Sequence, residues 1–185
     1  MDRLPWELKA PIYDRLKLSF WPEQLAVLQD QTRQIVIPGG EGAGKSYVTA
    51  ADFTPHIVYA PLVRPDKFLK ENGEPLWDLA HDRPRFPHFV LFGLTYEESH
   101  AEFEYIEEML GKLDLLAGRP NQPSKPSDGR WRLVTKKGVV LQTWSTENPD
   151  SIRSIEPLGV AAVEAGRQEW ATVMRIQGRI SRARA

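Results

Sequence analysis

The sequence predicts an α/β fold in which a mostly parallel sheet is flanked by helices, with a helical segment at the N-terminus. Three observations support this prediction. Apolar runs of strand length alternate with longer segments of helical periodicity. One run, His88–Thr95, is apolar almost throughout, which is typical of a strand buried on both faces. Another run, Ile35–Ile37, leads directly into a glycine-rich motif and then a helical segment.

The composition is that of an ordinary globular domain. The chain has 185 residues, of which 26% are charged and 41% hydrophobic, and its net charge of −1 gives no overall attraction to nucleic acid or membrane. Cysteine is absent, which excludes disulfides, thiolate catalysis and cysteine-ligated metals. No apolar stretch approaches ~18 residues and no signal-peptide pattern begins the chain. We expect a soluble, intracellular protein with no membrane partner.

Two regions are predicted. Residues 1–33 form a helical N-terminal segment, with a second short helix at Glu23–Gln31 after Pro22, a residue favoured in a first helical turn. Residues 34–185 form the core. It begins with a strand at Ile35–Pro38 and a helix from Gly44 to about Tyr59.

The middle of the core alternates irregular and regular segments. Residues 60–87 contain five prolines and predict an irregular insertion. The strand His88–Thr95 is followed by a helix from Tyr96 to about Leu116. We place its core stripe at Ala101, Tyr105, Ile106, Met109, Leu110 and Leu113. Its acidic residues, which we interpret as a solvated face rather than a metal site, are Glu97, Glu98, Glu102, Glu104, Glu107 and Glu108.

The last third of the chain predicts a hairpin, a strand and a helix. Residues 118–129 are a linker rich in Pro, Ser and Gly, and the segments Arg130–Thr135 and Val139–Ser145 pair around a Lys-Lys-Gly turn. Leu158–Val163 is a further apolar strand, and Gln168 to about Arg182 is the closing helix.

The glycine-rich motif fits G-x-x-x-x-G-K-[ST], a phosphate-binding loop between a strand and a helix. Glycines let backbone N–H groups turn toward a polyphosphate, and the helix dipole favours the same anion. Lys45 supplies a positive charge and the Ser46 hydroxyl can ligate Mg²⁺. The sequence therefore predicts a P-loop NTPase that binds a nucleoside triphosphate through Gly39, Gly40, Glu41, Gly42, Ala43, Gly44, Lys45 and Ser46.

A triphosphatase also needs an acid that activates the attacking water and a second anchor for the metal. Glu164 follows the strand Leu158–Val163 and is the candidate catalytic base. Val163 stands where an aspartate for Mg²⁺ would be expected. Three interpretations are possible. Glu164 also binds the metal, or Mg²⁺ is held by Ser46, the nucleotide and water alone, or hydrolysis is impaired.

Two further groups are candidates for the nucleotide site. The Gln24 amide can pair with an adenine edge and Trp21 can stack on the base, although Gln24 as a surface residue and Trp21 as a core aromatic are equally compatible with the sequence. Arg153 precedes the Glu164 strand and can stabilise charge on the transferred phosphoryl group. A surface salt bridge is the alternative for Arg153.

These features, in this order, resemble the N-terminal ATPase domain of the large terminase subunit of tailed bacteriophages, which has the ASCE-type P-loop fold. The resemblance spans roughly residues 18–182. It rests on the P-x-Q element with Gln24, the phosphate loop, and the segments F-V-L-F-G-L-T-Y-E-E-S and V-V-L-Q-T-W-S-T. The segment N-P-D-S-I-R-S also contributes, as does V-E-A where the family usually has D-E-A.

The resemblance implies a role for each matching position. It makes Gln24 the adenine-recognition residue, Lys45 and Ser46 the phosphate and Mg²⁺ ligands, and Glu164 the catalytic glutamate. Arg153 matches an arginine that can act within its own subunit or on a neighbour's nucleotide. ATP and Mg²⁺ are the implied cofactors.

The resemblance also implies partners and a location. They are double-stranded DNA, the portal protein of the procapsid, the small terminase subunit and further copies of the chain in a ring, all in the host cytoplasm.

The chain departs from the family in ways that leave alternatives. Ser154 replaces a common glycine, and the phosphate loop lacks the family's usual arginine. We expect the chain to be truncated before the coupling motif and nuclease domain, and we expect no nuclease activity from it. The alternatives are a helicase-like ATPase unrelated to packaging and a low-turnover nucleotide-binding assembly module. Guanine-reading N-K-x-D and transporter S-G-G-Q elements do not occur in the sequence.

Overall fold

The computed structural model describes residues 3–32, 35–40, 42–65, 88–117, 130–147, 157–169 and 171–172, together with the backbone of 77–78 and 83–84. Four α-helices are described with both ends: α1 (Trp6–Leu16), α2 (Pro22–Gln29), α3 (Lys45–Val63) and α4 (His100–Lys112). Short 3-10 helices lie at Glu97–Ser99 and Ala165–Arg167. The strands are β1 (Trp77–Asp78), β2 (Arg83–Pro84), β3 (His88–Gly93), β4 (Arg132–Val134), β5 (Val140–Ser145) and β6 (Gly159–Ala162).

The two N-terminal helices begin and end as their local sequences dictate. Lys17 caps the C-terminus of α1, with a left-handed φ of 55° and an N–H that bonds back to the carbonyls of Asp14 and Tyr13. Helix α2 starts with Pro22, and the Gln24 side chain accepts a hydrogen bond of 3.0 Å from the N–H of Trp21. The prediction of a helical N-terminal segment is therefore confirmed.

A small ionic cluster fixes these helices on α3. Asp52 Oδ1 on α3 accepts hydrogen bonds from Lys9 Nζ at 2.8 Å and from the Arg3 guanidinium at 2.6 Å. Lys9 is fully buried and also donates to the carbonyl of Leu28 at 2.9 Å. One carboxylate thus joins α1, the end of α2 and the helix that follows the phosphate loop.

The main sheet has the order β4-β5-β3-β6. Strand β3 is parallel to both β5 and β6, and β4 runs antiparallel to β5 as the predicted hairpin. The carboxyl ends of β3, β5 and β6 consequently meet at one edge of the sheet. Gly159 lies opposite Phe89, where a Cβ would come within 2.7 Å of the Phe89 ring.

The core lies mainly on one face of the sheet, between the strands and α1, α3 and α4. Phe89, Leu91 and Leu141 point into it from the strands, and Phe103 and Ile106 from α4. The other face carries a smaller buried cluster made of Val90, Phe92 and Trp144, with Val160 packed against it. The described helices therefore cover one face of the sheet.

Three sequence predictions are wrong in detail. The segment Ile35–Pro38 is not a strand, since Pro38 has no N–H to donate to a ladder and Val36 is 88% exposed rather than buried. Helix α3 continues beyond Tyr59 to Val63, although Pro55 and Pro61 lie inside it, and burial of apolar residues along this helix offsets the lost hydrogen bonds.

The third prediction is wrong only in part. Ile106, Met109, Leu110 and Leu113 are buried as predicted, and Glu102 and Phe103 are buried with them. Ala101 and Tyr105, which we expected in the core, are exposed.

Other predicted segments fall wholly or partly outside the described residues. The linker 118–129 does so completely. Of the insertion 60–87, residues 60–65 are described in full and only the backbone of the short ladder between β1 and β2 is described beyond them. Of the closing helix, only 168, 169, 171 and 172 are described, with 171–172 helical.

Candidate nucleotide-binding site

The phosphate loop has the backbone that its glycines predict. Gly42 and Gly44 have φ values of 77° and 73°, a left-handed conformation that favours glycine. Gly44 is the residue before α3, and its carbonyl accepts the first helical hydrogen bond from the Val48 N–H at 3.0 Å. The N-terminus of a 19-residue helix, with its positive dipole end, therefore opens directly onto the loop.

The Lys45 side chain folds back across this loop. Its Nζ donates to the carbonyls of Gly39 at 2.8 Å and Gly40 at 2.9 Å. Gly39 is itself closely packed, because a Cβ there would lie 3.2 Å from the Cβ of Ala43. The ammonium thus lies among backbone carbonyls of the loop and places a positive charge there.

Helix α2 brings Gln24 against the end of the loop. A Cβ added to Gly44 would lie only 2.6 Å from Gln24 Nε2, so the amide and the loop backbone are in close contact. Trp21, at the start of the same helix, is 62% exposed, which excludes the alternative that it is a core aromatic. The structure places both candidate base-binding side chains on the helix that touches the loop.

Glu164 lies just past the end of β6. The Val163 N–H still bonds to the Phe92 carbonyl at 2.6 Å, and the chain then turns at Glu164, whose φ of 49° is left-handed. The Glu164 side chain is exposed. A non-glycine residue in this conformation is uncommon and is frequently found at functional sites.

An ion pair supports the turn that follows Glu164. Glu98 Oε1 pairs with Arg167 at 3.0 Å, and Oε2 of the same carboxylate accepts from the Leu94 N–H at 2.7 Å. The Ser145 hydroxyl donates to the Leu94 carbonyl at 2.6 Å. Gly93 is required here, because a Cβ would lie 2.5 Å from the Thr95 carbonyl oxygen. These contacts tie together the chain segments that follow β3, β5 and β6.

The structure adds a residue that the sequence analysis placed on a solvated face. Glu102, in the first turn of α4, is 3% exposed. Burial raises the pKa of its carboxyl, and the charge of Glu164 acts in the same direction. A hydrogen bond from the Ser46 side chain and the charge of Lys45 lower it. Glu102 is therefore a buried carboxyl whose pKa is affected by Ser46, Glu164 and Lys45.

The signal for Glu102 was present in the sequence. Positions 102, 106, 109 and 113 follow a 4-3-4 spacing and therefore lie on one helical face, which is the buried one. The interpretation of the six glutamates as one solvated face is therefore wrong for Glu102, and Glu98, in the turn before α4, is also partly buried.

The described residues have chemistry that fits Mg²⁺. The Ser46 hydroxyl and a carboxylate are hard oxygen donors, and Glu102 Oε2 is buried with no hydrogen-bond partner in the described part of the chain. No group of three or more His, Asp or Glu side chains that could hold a metal occurs among the described residues. An all-protein metal cage is thus not found there, whereas a site shared with nucleotide phosphates needs fewer protein ligands.

Two predicted site residues, Glu41 and Arg153, lie outside the described residues. Of the others, Gln24 and Lys45 contact the loop backbone. The charge of Glu164 acts to raise the pKa of the Glu102 carboxyl, and the charge of Lys45 acts to lower it.

Comparisons with known proteins agree with this architecture. No protein-family model and no curated protein matches the chain. Among solved structures, the large terminase ATPase domain of Thermus phage P74-26 matches with a TM-score of 0.57 at 14% identity, over 91% of this chain and 63% of that one. An arginine-to-alanine mutant of the same domain matches with a TM-score of 0.58 at 14% identity, over 94% and 65% of the two chains.

The fold is similar to that of this large terminase ATPase domain. The chain spans 65% and 63% of the length of the two matched structures. The predicted fold class, a mostly parallel sheet flanked by helices, is confirmed. In the described segments, no helix is both long enough and apolar enough to cross a lipid bilayer.

Proposed function

We propose that this chain is the ATPase core of a viral DNA-packaging motor, a large terminase subunit that couples ATP hydrolysis to translocation of double-stranded DNA into a procapsid. The observation that carries the proposal is the motif Gly39–Ser46 at the N-terminus of α3, within a fold similar to a phage large terminase ATPase domain. The similarity of fold supports a packaging motor among the P-loop ATPases, and the loop contains the groups that would bind the nucleotide.

ATP and Mg²⁺ are the cofactors that we propose. Backbone N–H groups of the loop and the Lys45 ammonium would bind the phosphates, and Gln24 and Trp21 would recognise and stack on adenine. To do so, Lys45 Nζ must exchange the carbonyls of Gly39 and Gly40 for phosphate oxygens. Ser46 would hold Mg²⁺, which neutralises charge on the phosphates and orients them for in-line attack.

Hydrolysis requires a base at the free end of the nucleotide, and we assign that role to Glu164. A carboxylate there accepts a proton from the attacking water as the water oxygen bonds to the γ-phosphorus. The bond from phosphorus to the β–γ bridging oxygen breaks, and ADP leaves. Exposure of Glu164 in a left-handed turn at the sheet edge leaves its carboxylate accessible to such a water.

The remaining partners follow from the proposed family role. They are double-stranded DNA, the portal protein of the procapsid, the small terminase subunit and other copies of this chain in a ring, in the cytoplasm of the host. Arg153 would contribute a positive charge to the transition state, either in its own subunit or in the next one. A net charge of −1 means that DNA contacts would depend on a local basic surface rather than on the whole molecule.

One observation favours a second function. Val163 lacks the carboxylate that usually anchors Mg²⁺ next to the catalytic glutamate. A nucleotide-binding assembly module with little turnover would tolerate this substitution. That alternative predicts tight ATP binding without hydrolysis stimulated by DNA and procapsids.

The test is a measurement of ATP turnover with and without DNA and procapsids. We expect wild type to be stimulated, and both Lys45→Ala and Glu164→Gln to lose at least 100-fold in turnover, by analogy with the loss of other positioned electrostatic or proton-transfer groups. Lys137→Ala, an exposed lysine in the hairpin turn, is the matched control and should behave as wild type. Equal turnover in all four proteins would refute the assigned site.

A further inference from the structure

Glu102 is buried at a position where its carboxyl does not contribute to the apolar packing of α4. The residue lies in the first turn of α4, which packs against α3. Tyr47, next to Ser46 in the first turn of α3, contacts Tyr105 of α4 with ring centroids 5.6 Å apart, so the N-terminal parts of the two helices are neighbours. Its relative exposure is 3%, although glutamate is among the residues least often buried without a partner. The carboxyl is therefore held out of water in the part of α4 that neighbours Ser46, the expected Mg²⁺ ligand, and hydrogen bonding by the Ser46 side chain acts to lower its pKa.

The described contacts leave Glu102 incompletely satisfied. No ion pair in the described part of the chain includes it. Its Oε2 has no hydrogen-bond donor there either. An unpaired buried carboxylate is costly and persists where something else compensates for it. A divalent cation would supply the missing positive charge and accept the free oxygen as a ligand.

The site also lacks the carboxylate that usually performs this task. Val163, at the end of β6, has an apolar side chain and cannot contact a cation through it. Glu164 is exposed, so its carboxylate is accessible to a water molecule rather than fixed beside Ser46. Glu102 approaches the same region from a different element, the helix after β3.

We propose that Glu102 is the second protein anchor for Mg²⁺ in this chain, acting with Ser46 and replacing the carboxylate that is absent at position 163. Glu102 Oε2 contacts the ion or one of its bound waters once the Mg²⁺–ATP complex enters the loop. Glu164 then does not need to bind the metal and can act as the base. The inference rests on the proposed function, since it requires that the loop binds ATP.

The test measures binding of a fluorescent ATP analogue in Mg²⁺ and in EDTA, without turnover. The variants are Glu102→Gln, its exposed neighbour Glu104→Gln as the control, and Lys45→Ala. Loss of an oxygen partner at a metal site typically costs 10- to 100-fold in metal affinity. We expect Glu102→Gln to lose at least tenfold of the affinity gained with Mg²⁺. In EDTA the same variant should bind equally or more tightly, because a negative charge near the phosphates has been removed.

The expected loss of affinity in Mg²⁺, without a loss in EDTA, distinguishes a metal-binding role of Glu102 from a structural one. A general loss of packing would weaken binding in both buffers, and that result would overturn the inference. It would also be overturned if Glu102→Gln kept the full Mg²⁺ effect while Lys45→Ala abolished binding, although the proposed function would then stand. No ATP binding by wild type would instead refute the proposed function.

A second readout covers the case in which Glu102→Gln does not fold. Electron paramagnetic resonance of Mn²⁺ added with the ATP analogue reports directly on occupancy of the metal site. Glu102→Asp keeps the charge but shortens the side chain, and we expect weaker Mn²⁺ retention than in wild type or Glu104→Gln. Retention equal to wild type would contradict the assignment.

Discussion

Asp52 provides a quantitative test of how the N-terminal helices are fixed to α3, the helix that follows the phosphate loop. The change Asp52→Asn keeps the shape and one oxygen acceptor but removes the negative charge that faces two cations. Lys9 would remain fully buried, with its Nζ bonded to the Leu28 carbonyl. Arg3 would retain its bond to the Val27 carbonyl. Both cations would then lack their carboxylate.

The structure sets the expected magnitude. Breaking a buried ion pair by removing one partner costs about 3–5 kcal/mol. The Lys9 side chain has 0% exposure, but those of Arg3 and Asp52 retain 10% and 17%, which favours the low end of that range. We therefore expect Asp52→Asn to lower the free energy of unfolding by about 3 kcal/mol.

Urea unfolding monitored by circular dichroism measures this quantity. The control Asp14→Asn changes an exposed carboxylate on α1 and should stay within about 0.5 kcal/mol of wild type. Adding Lys9→Met to Asp52→Asn removes the uncompensated ammonium and should recover more than about 1 kcal/mol. A loss below about 1 kcal/mol for Asp52→Asn, or no recovery in the double variant, would refute the reasoning.

The pH dependence of the same variant gives an independent check. Burial lowers the pKa of the Lys9 ammonium, and Asp52 acts to raise it. Removing the Asp52 charge lowers the folded pKa further, while the unfolded pKa keeps its ordinary value. The unfolded state then binds more protons, so the stability of Asp52→Asn should rise with pH more steeply than that of wild type.

Three other changes have specific expected outcomes. Burial lowers the pKa of His56 to about 4 from its ordinary 6.5, so the unfolded chain protonates first. The free energy of unfolding should fall by roughly 3 kcal/mol between about pH 6.5 and 4, and urea unfolding of His56→Gln should lack that fall. Gly93→Ala places a Cβ 2.5 Å from a backbone oxygen and should cost about 1–3 kcal/mol in the same assay, whereas Gly166→Ala, which meets nothing within 4 Å, should cost less than about 0.5. Gly44→Ala adds a Cβ 2.6 Å from Gln24 Nε2 at a left-handed position and should weaken ATP-analogue binding at least tenfold by titration, with unchanged affinity contradicting the loop geometry.

The parts of the fold that local sequence determines were predictable. The apolar run of β3, the Lys-Lys-Gly hairpin and the loop motif each depend on residues close together in the chain, and each is present. The segment Ile35–Pro38 was not predictable from its apolar character, because joining a sheet depends on a neighbouring strand and on donors that Pro38 lacks.

The site was predictable only where a motif marks it. Lys45 and Ser46 belong to a motif, whereas Glu102 is one glutamate among several on α4 and becomes distinctive through burial against another helix. The cluster of Lys9 and Asp52 joins residues 43 positions apart, and no local pattern indicates that pairing. Tertiary contacts, rather than local propensity, determine the burial of Glu102 and the pairing of Lys9 with Asp52.

The most direct test of the central claim is a crystal structure with Mg²⁺ and a non-hydrolysable ATP analogue. We predict that the β- and γ-phosphates lie within the loop Gly39–Ser46 and that Lys45 Nζ has left the carbonyls of Gly39 and Gly40 for phosphate oxygens. We also predict that Glu164 faces the γ-phosphate. A nucleotide bound elsewhere, with Lys45 still on those two carbonyls, would contradict the account.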